Sequence, residues 1–398
     1  MDAKCSTILT AVGAILFIFC IIQSGSVCQA AEAATSSASI QSTKTFDKGE
    51  KVKSMEPEKQ TRAIEGIERL QWGKGQENTF IGALTVAMRA IGEDVTYDYL
   101  MGVSGAAFRL HFHQPDWCPS SPDATCGFDH SKPAMEALGY VSTCIHSDGK
   151  NPQEVKKVRD VVVQSINNGV PVLAIDLIEV PDWGVIVGYS DDGEEFLCRT
   201  YFDKTEEYSR AKKWPWVVEI PKKIGEVHDR KDSLLKSLEI AVTVANTEKY
   251  EHYASGFSAF ESWISDLTDD SRFEALDEEK LNGMNHVNAW CYNSLIDARQ
   301  SAVKYLRAIE DELGKESAPH LSEAASIYEK AVKKLIDGRH YAPFPWQLKD
   351  GKRWTNTMRH AEADVMKEVL ALERKAVDEL KAVLELIKKE QMSRLGGE

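Results

Sequence analysis

Most marks of a familiar enzyme are missing from this 398-residue chain. It has no Walker-type phosphate loop, dinucleotide-binding glycine fingerprint, Gly-x-Ser-x-Gly or His-Glu-x-x-His. Gly73-Lys74-Gly75 alone is too short to cradle a phosphate. Histidine is scarce, with ten in all and none between His146 and His228. An excess of basic charge is missing too. The 48 Lys and Arg stand against 62 Asp and Glu, a formal net charge of −14. That balance argues against nucleic acid as a partner and mostly serves solubility. No repeat of fixed period is visible. Neither a cofactor nor a metal is expected. The nearest thing to a ligand cluster, His111-x-His113 with Cys118 and Cys126, matches no familiar zinc spacing.

What is present is an ordinary globular composition, 43% hydrophobic and 28% charged, on a length that allows two domains. The N-terminus reads as an export signal (residues 1–30). Lys4 is followed by an apolar core at 8–22 and a small-residue site around Cys28-Gln29-Ala30, so cleavage is expected near Ala30. The apolar core is about fifteen residues, short for a membrane span. The main alternative is an uncleaved signal anchor, through which a membrane would be reached; a lipidated Cys28 is the lesser one. The expected location is periplasmic or extracellular. Residues 31–60, rich in Ala, Ser, Thr, Lys and Glu, read as a flexible tether. Of eight cysteines, Cys118, Cys126, Cys144, Cys198 and Cys291 lie beyond the signal. In an oxidising compartment Cys118 and Cys126 are the disulfide candidates.

Residues 71–92 are the stretch around which the rest of the chain is organised. Gly73 and Gly75 lead into polar Gln76-Glu77-Asn78-Thr79; then Phe80, Ile81, Leu84, Ala87, Met88 and Ile91 recur at helical spacing up to Gly92. A loop therefore feeds a buried helix starting at Asn78 or Thr79, where free N–H groups favour negative charge and suit a nucleophile. Helices are expected at 95–105, 131–138 and 151–168. A short strand is expected at 106–113, and further strands at 140–145, 170–175, 183–189, 195–201 and 216–220. Ser190-Asp191-Asp192-Gly193 makes a hairpin turn. From Lys231 onward the periodicity is helical, at 234–244, 253–267, 287–313, 321–336 and 355–389, which implies an antiparallel bundle.

Helices first and then antiparallel strands is an α+β pattern. The opening of the helix, the Gly188-Tyr189-x-Asp-Asp-Gly turn and the element order together resemble papain-like thiol enzymes. The nearest branches are the double-glycine leader peptidases and the N-terminal domain of the butirosin biosynthesis protein H type, an acyltransferase. The resemblance covers residues 64–220. It implies a papain-like domain at 61–228 followed by an all-α bundle at 229–398. It also implies a glutamine at Gln71 or Gln76, a nucleophilic cysteine at Asn78 or Thr79, a histidine at Asp182 or Trp183, and an orienting group between Arg199 and Asp203. This chain has neither the thiol nor the imidazole at those positions.

The leading expectation is therefore an exported papain-like pseudoenzyme that binds a peptide or a small acyl or amine ligand. Against it, Asn78 is also an excellent helix cap, and Asp182 a turn residue. A second expectation is a thiol peptidase or acyltransferase rewired onto Cys118 with His111 or His113, near Asp116. A third is an envelope interaction module acting through the bundle. Cys144-Ile145-His146 is a further thiol–imidazole pair, two apart on one strand face. Trp72, Trp117, Trp183, Trp214 and Trp216 would suit an acyl or peptide groove if several lined one cleft. Oligomeric state is left open.

Overall fold

Local capping places most of the helices. Asn78 accepts the Ile81 N–H and starts α1 (Thr79–Ala90). Thr96 accepts the Tyr99 N–H and starts α2 (Tyr97–Val103). Asn151, with Pro152 in the first turn, opens α4 (Pro152–Asn167), following a short α3 (Ser131–Glu136). In each capped case a side-chain oxygen satisfies one of the N–H groups that the first turn leaves unpaired. The computed structural model describes residues 59–224, 229–349 and 352–395. The predicted signal and nearly all of the tether lie outside them.

The main sheet is antiparallel throughout. In spatial order it runs β3 (Tyr140–His146), β8 (Val217–Lys223), β4 (Val172–Ile175), β5 (Trp183–Ser190), β6 (Glu195–Arg199) and β7 (Ser209–Arg210); β1 (Arg62–Ala63) adds to β5. Both faces are covered, which is why β4 and β5 are unbroken apolar runs. Val172, Ala174, Ile186 and Val218 meet Val158, Val162 and Ile166 of α4. Leu173, Ile175, Val185 and Val187 face the core that holds α1. The period-two alternation of a strand sorts neighbours to opposite sides.

The C-terminal half contains α5 (Arg230–Asn246), α6 (Gly256–Thr268), the short α7 (Ser271–Glu274), and the long α8 (Glu278–Ala308), α9 (Ala318–Gly338) and α10 (Asn356–Leu395). It is not all helical. β9 (Lys249–Tyr250) and β10 (Tyr253–Ser255) form a second sheet with β2 (His111–His113). The helix expected at 253–267 thus begins as strand, because Tyr253, Ala254 and Ser255 pair with His113, Phe112 and His111. The strand expected at 106–113 is shortened to β2, since 106–110 turn on themselves.

One apolar core runs across residue 228, containing Phe80, Leu84 and Leu173 together with Ala302, Tyr305, Leu306, Leu321 and Leu380. α2 packs tightly on α8 at Gly102, where a Cβ would lie 1.9 Å from the Tyr305 ring. The fold class is mixed α+β, with the halves interlocked rather than strung in series. Among the described residues, no helix is long and apolar enough to cross a membrane.

Candidate functional site

The start of α1 and the start of β5 meet. The backbone N–H of Trp183 donates to Thr79 Oγ1 at 3.4 Å, and the Trp183 ring stands edge-on to Phe80 at 5.0 Å. Thr79, Phe80 and Trp183 are buried. Asn78 is fully engaged. Its Oδ1 accepts from Ile81 N–H at 3.0 Å. Its N–H donates to the Tyr97 hydroxyl at 2.9 Å, which donates to Asp297 Oδ2 at 2.6 Å. Its Nδ2 lies 3.4 Å from the Pro122 carbonyl and 3.3 Å from His130 Nε2. An amide NH₂ only donates, so His130 Nε2 must accept. That agrees with the His130 imidazole being held well below its usual range, first by burial and then by Arg109.

Carboxyls gather beside this junction. Asp123 accepts Trp183 Nε1–H at 2.9 Å and both the N–H and hydroxyl of Thr125. Asp182 keeps some exposed surface, yet dehydration of its carboxyl pushes it up to about 7, helped by the negative charges of Asp123 and Asp176. Asp297 of α8 is likewise pushed up to about 7 by burial. Asp203, in the segment expected to orient a histidine, is locked elsewhere. It accepts from the buried Arg199 at 3.1 Å and from Thr200 and Ser209. The side chains of Gln71 and Gln76 make no hydrogen bond among the described residues; the Gln76 carbonyl accepts the Tyr201 hydroxyl at 2.7 Å.

A lid of residues 114–130 and helix α8 cover the junction. Trp290 of α8 donates to the Pro119 carbonyl at 2.9 Å and stands 5.1 Å edge-on from Trp72. The Glu77 N–H donates to Asp297 at 3.2 Å.

Cys118, His111 and His113 each engage other groups. Cys118 is buried with its sulfur 3.3 Å from the Tyr253 hydroxyl. His111 Nε2 accepts the Phe128 N–H at 3.0 Å, and His113 Nδ1 sits 2.6 Å from the Asp116 carbonyl. Asp116 is exposed. Cys126 is a free, buried thiol. It shares the Tyr253 hydroxyl with Cys118 rather than a bond to it, and burial pushes it up to about 12. Cys144 and His146 bring a thiol and an imidazole to 3.6 Å on the edge strand β3.

The tryptophans do not line one cleft. Trp72 stacks on Tyr201 at 4.2 Å, Trp117 packs with Phe112 and Trp354, and Trp214 lies against Phe196. A surface groove of about 650 Å³ instead runs between Pro115-Asp116-Trp117 and the start of α8, with Leu276, Met284 and Val287 as its bed and Arg272 and Lys280 at its rim. His130, Arg109 and this groove carry no motif in the sequence; only the alternation at 108–113, with Phe108, Leu110 and Phe112 on one side, places Arg109, His111 and His113 on the other. The chain matches no family model and no curated protein significantly.

Proposed function

We propose that this chain is a non-hydrolytic relative of the papain-like thiol enzymes that binds a peptide or a small acyl or amine ligand. The observation that carries the reading is the hydrogen bond from Trp183 N–H to Thr79 Oγ1. The helix start and strand start expected to bring a thiol to an imidazole do adjoin. The groups that meet there are a hydroxyl and a main-chain amide, with Asp182 beside them. The thiol and the imidazole of the resembled chemistry stand at neither position, and the Thr79 oxygen is engaged by the Trp183 amide. The lid and α8 pack over the junction, with Pro122 held by Asn78, Asp123 by Trp183, and Asp297 by Tyr97 and Glu77.

Binding is assigned to the groove beside Trp117, whose volume and apolar bed with a charged rim suit a ligand of modest size. Two measurements test this. The wild-type protein should turn over neither peptide nor thioester. A peptide library should contain sequences that change the intrinsic fluorescence of the wild type but not of Met284→Glu. Turnover refutes the first half, and equal responses of the two proteins refute the second.

A second reading is favoured by one distance, the 3.6 Å between Cys144 and His146. If the protein does thiol chemistry, Cys144 is its place. Iodoacetamide should then label the wild type and Cys118→Ser equally, and Cys144→Ser much less.

A further inference from the structure

Beside Asn78 lies a small cavity of about 30 Å³, lined among others by Arg109, His111, Ser294 and Cys291. Three of its side chains carry polar atoms with no partner: Arg109 Nε, His111 Nδ1 and Ser294 Oγ. These residues are only 6%, 2% and 8% exposed. A buried polar atom left unpaired is costly, so three on residues that line one small cavity call for a partner there.

The hydrogens available define that occupant. Arg109 Nε–H can only donate. His111 Nε2 already accepts from Phe128 N–H, so the neutral ring carries its proton on Nδ1 and donates from there. Ser294 can turn its hydroxyl inward. Asn78, also at the wall, has its amide committed to Pro122 and His130. The cavity is therefore rich in donors and poor in acceptors. A water molecule would find acceptors for its hydrogens only in the Ser121 and Ser294 hydroxyls, whereas an anion needs none and also answers the charge of Arg109.

Charge points the same way. Arg109 is a buried guanidinium whose other nitrogens donate to the carbonyls of Pro122 and Cys126. No carboxylate forms an ion pair with it among the described residues, although Asp123 and Asp129 lie near enough to be felt. An arginine stays charged even when buried, and a buried charge calls for a partner.

We propose that this cavity is a structural anion site for one small monovalent anion of halide size, held by Arg109 Nε, His111 Nδ1 and Ser294 Oγ. The anion neutralises Arg109 where α8 and the lid close over β2. This site is separate from the ligand-binding groove and stands without it.

The test uses the full chain and bromide. Thermal midpoints are measured against sodium bromide and against sodium gluconate at matched ionic strength, and crystals soaked in bromide are examined for anomalous signal. The midpoint should rise with bromide beyond its rise with gluconate, as for any ligand of the folded state. The anomalous peak should fall in the cavity. Ser294→Ala, which removes one donor and little volume, should raise the half-saturating bromide concentration on the order of tenfold. Arg109→Gln should abolish the bromide-specific response. Identical midpoints in the two salts, a peak only elsewhere, or an unchanged response in Ser294→Ala would each overturn the site. A cavity peak without any stabilisation marks an adventitious ion only and overturns it equally.

Discussion

Gly82→Ala offers the sharpest check on how α1 is seated, because two large effects oppose each other. In an isolated helix the change would be stabilising, by about 1 kcal/mol, since alanine loses less backbone entropy. Here a Cβ at Gly82 would lie 2.0 Å from the Tyr201 hydroxyl oxygen and 3.2 Å from its Cζ. Tyr201 cannot simply withdraw. Its ring stacks on Trp72 at 4.2 Å, and its hydroxyl donates to the Gln76 carbonyl at 2.7 Å. Overpacking costs about 1–3 kcal/mol and the displaced hydrogen bond about 1 kcal/mol. The packing terms win, and the expected net loss is about 1–3 kcal/mol. Tyr201→Phe alone should lose only the hydrogen bond. With the hydroxyl gone, the nearest atom to the new methyl is at 3.2 Å, which a small shift accommodates. Gly82→Ala/Tyr201→Phe should therefore be more stable than the sum of the single changes by about 2–4 kcal/mol, since the clash is relieved and the hydrogen bond is lost once instead of twice. Urea denaturation followed by tryptophan fluorescence measures all four proteins, with Trp72 as a local reporter. A Gly82→Ala protein as stable as wild type, or a strictly additive cycle, would refute the seating of Tyr201 over α1.

Three further perturbations have defined outcomes. Arg299 and Glu373, 1% and 4% exposed by side chain, pair at 2.6 Å between α8 and α10, and Arg299 also donates to the Ala107 carbonyl at 2.9 Å. Glu373→Ala should cost about 3–5 kcal/mol in denaturant, because it strands a buried cation, while Arg299→Met/Glu373→Leu should come close to wild type. Asp182 is pushed up to about 7 in the fold, above an unfolded value of about 3.9. Between those values the native state holds the extra proton, so its contribution to stability falls as pH rises from about 4 to about 7. Asp182→Asn should flatten that part of the stability–pH profile and be relatively more stable than wild type at pH 8; an unchanged profile would show the carboxyl is not dehydrated. Thr79→Cys/Asp182→His places a thiol at the N-terminus of α1 and an imidazole at the start of β5. Its alkylation rate should titrate below the ordinary thiol value of about 8.5; an ordinary titration would count against the papain-like frame.

The chain's own residues determined what lies within a few positions along the backbone. Asn78, Thr96, Asn151, Asp229 and Asp277 cap helices because a side-chain oxygen reaches an N–H two or three residues on. The runs of β4 and β5 are apolar on both faces because both faces are covered, and their unbroken hydrophobicity is plain in the sequence. The gap in histidines likewise shows in advance that no imidazole stands at Asp182. What only the tertiary structure decided is which distant segments meet. β2 pairs with β10 because 111–113 and 253–255 each present a free edge, a match that neither strand encodes alone. Asp182 is held above the usual carboxylate range because the fold buries its carboxyl and brings the charges of Asp123 and Asp176 near it from other segments. Arg109 is a buried cation, and His111 a neutral donor, only once residues 126–128 and α8 have folded across them. Local structure depends on neighbours in sequence, whereas charge, burial and the protonation of a ring depend on neighbours in space.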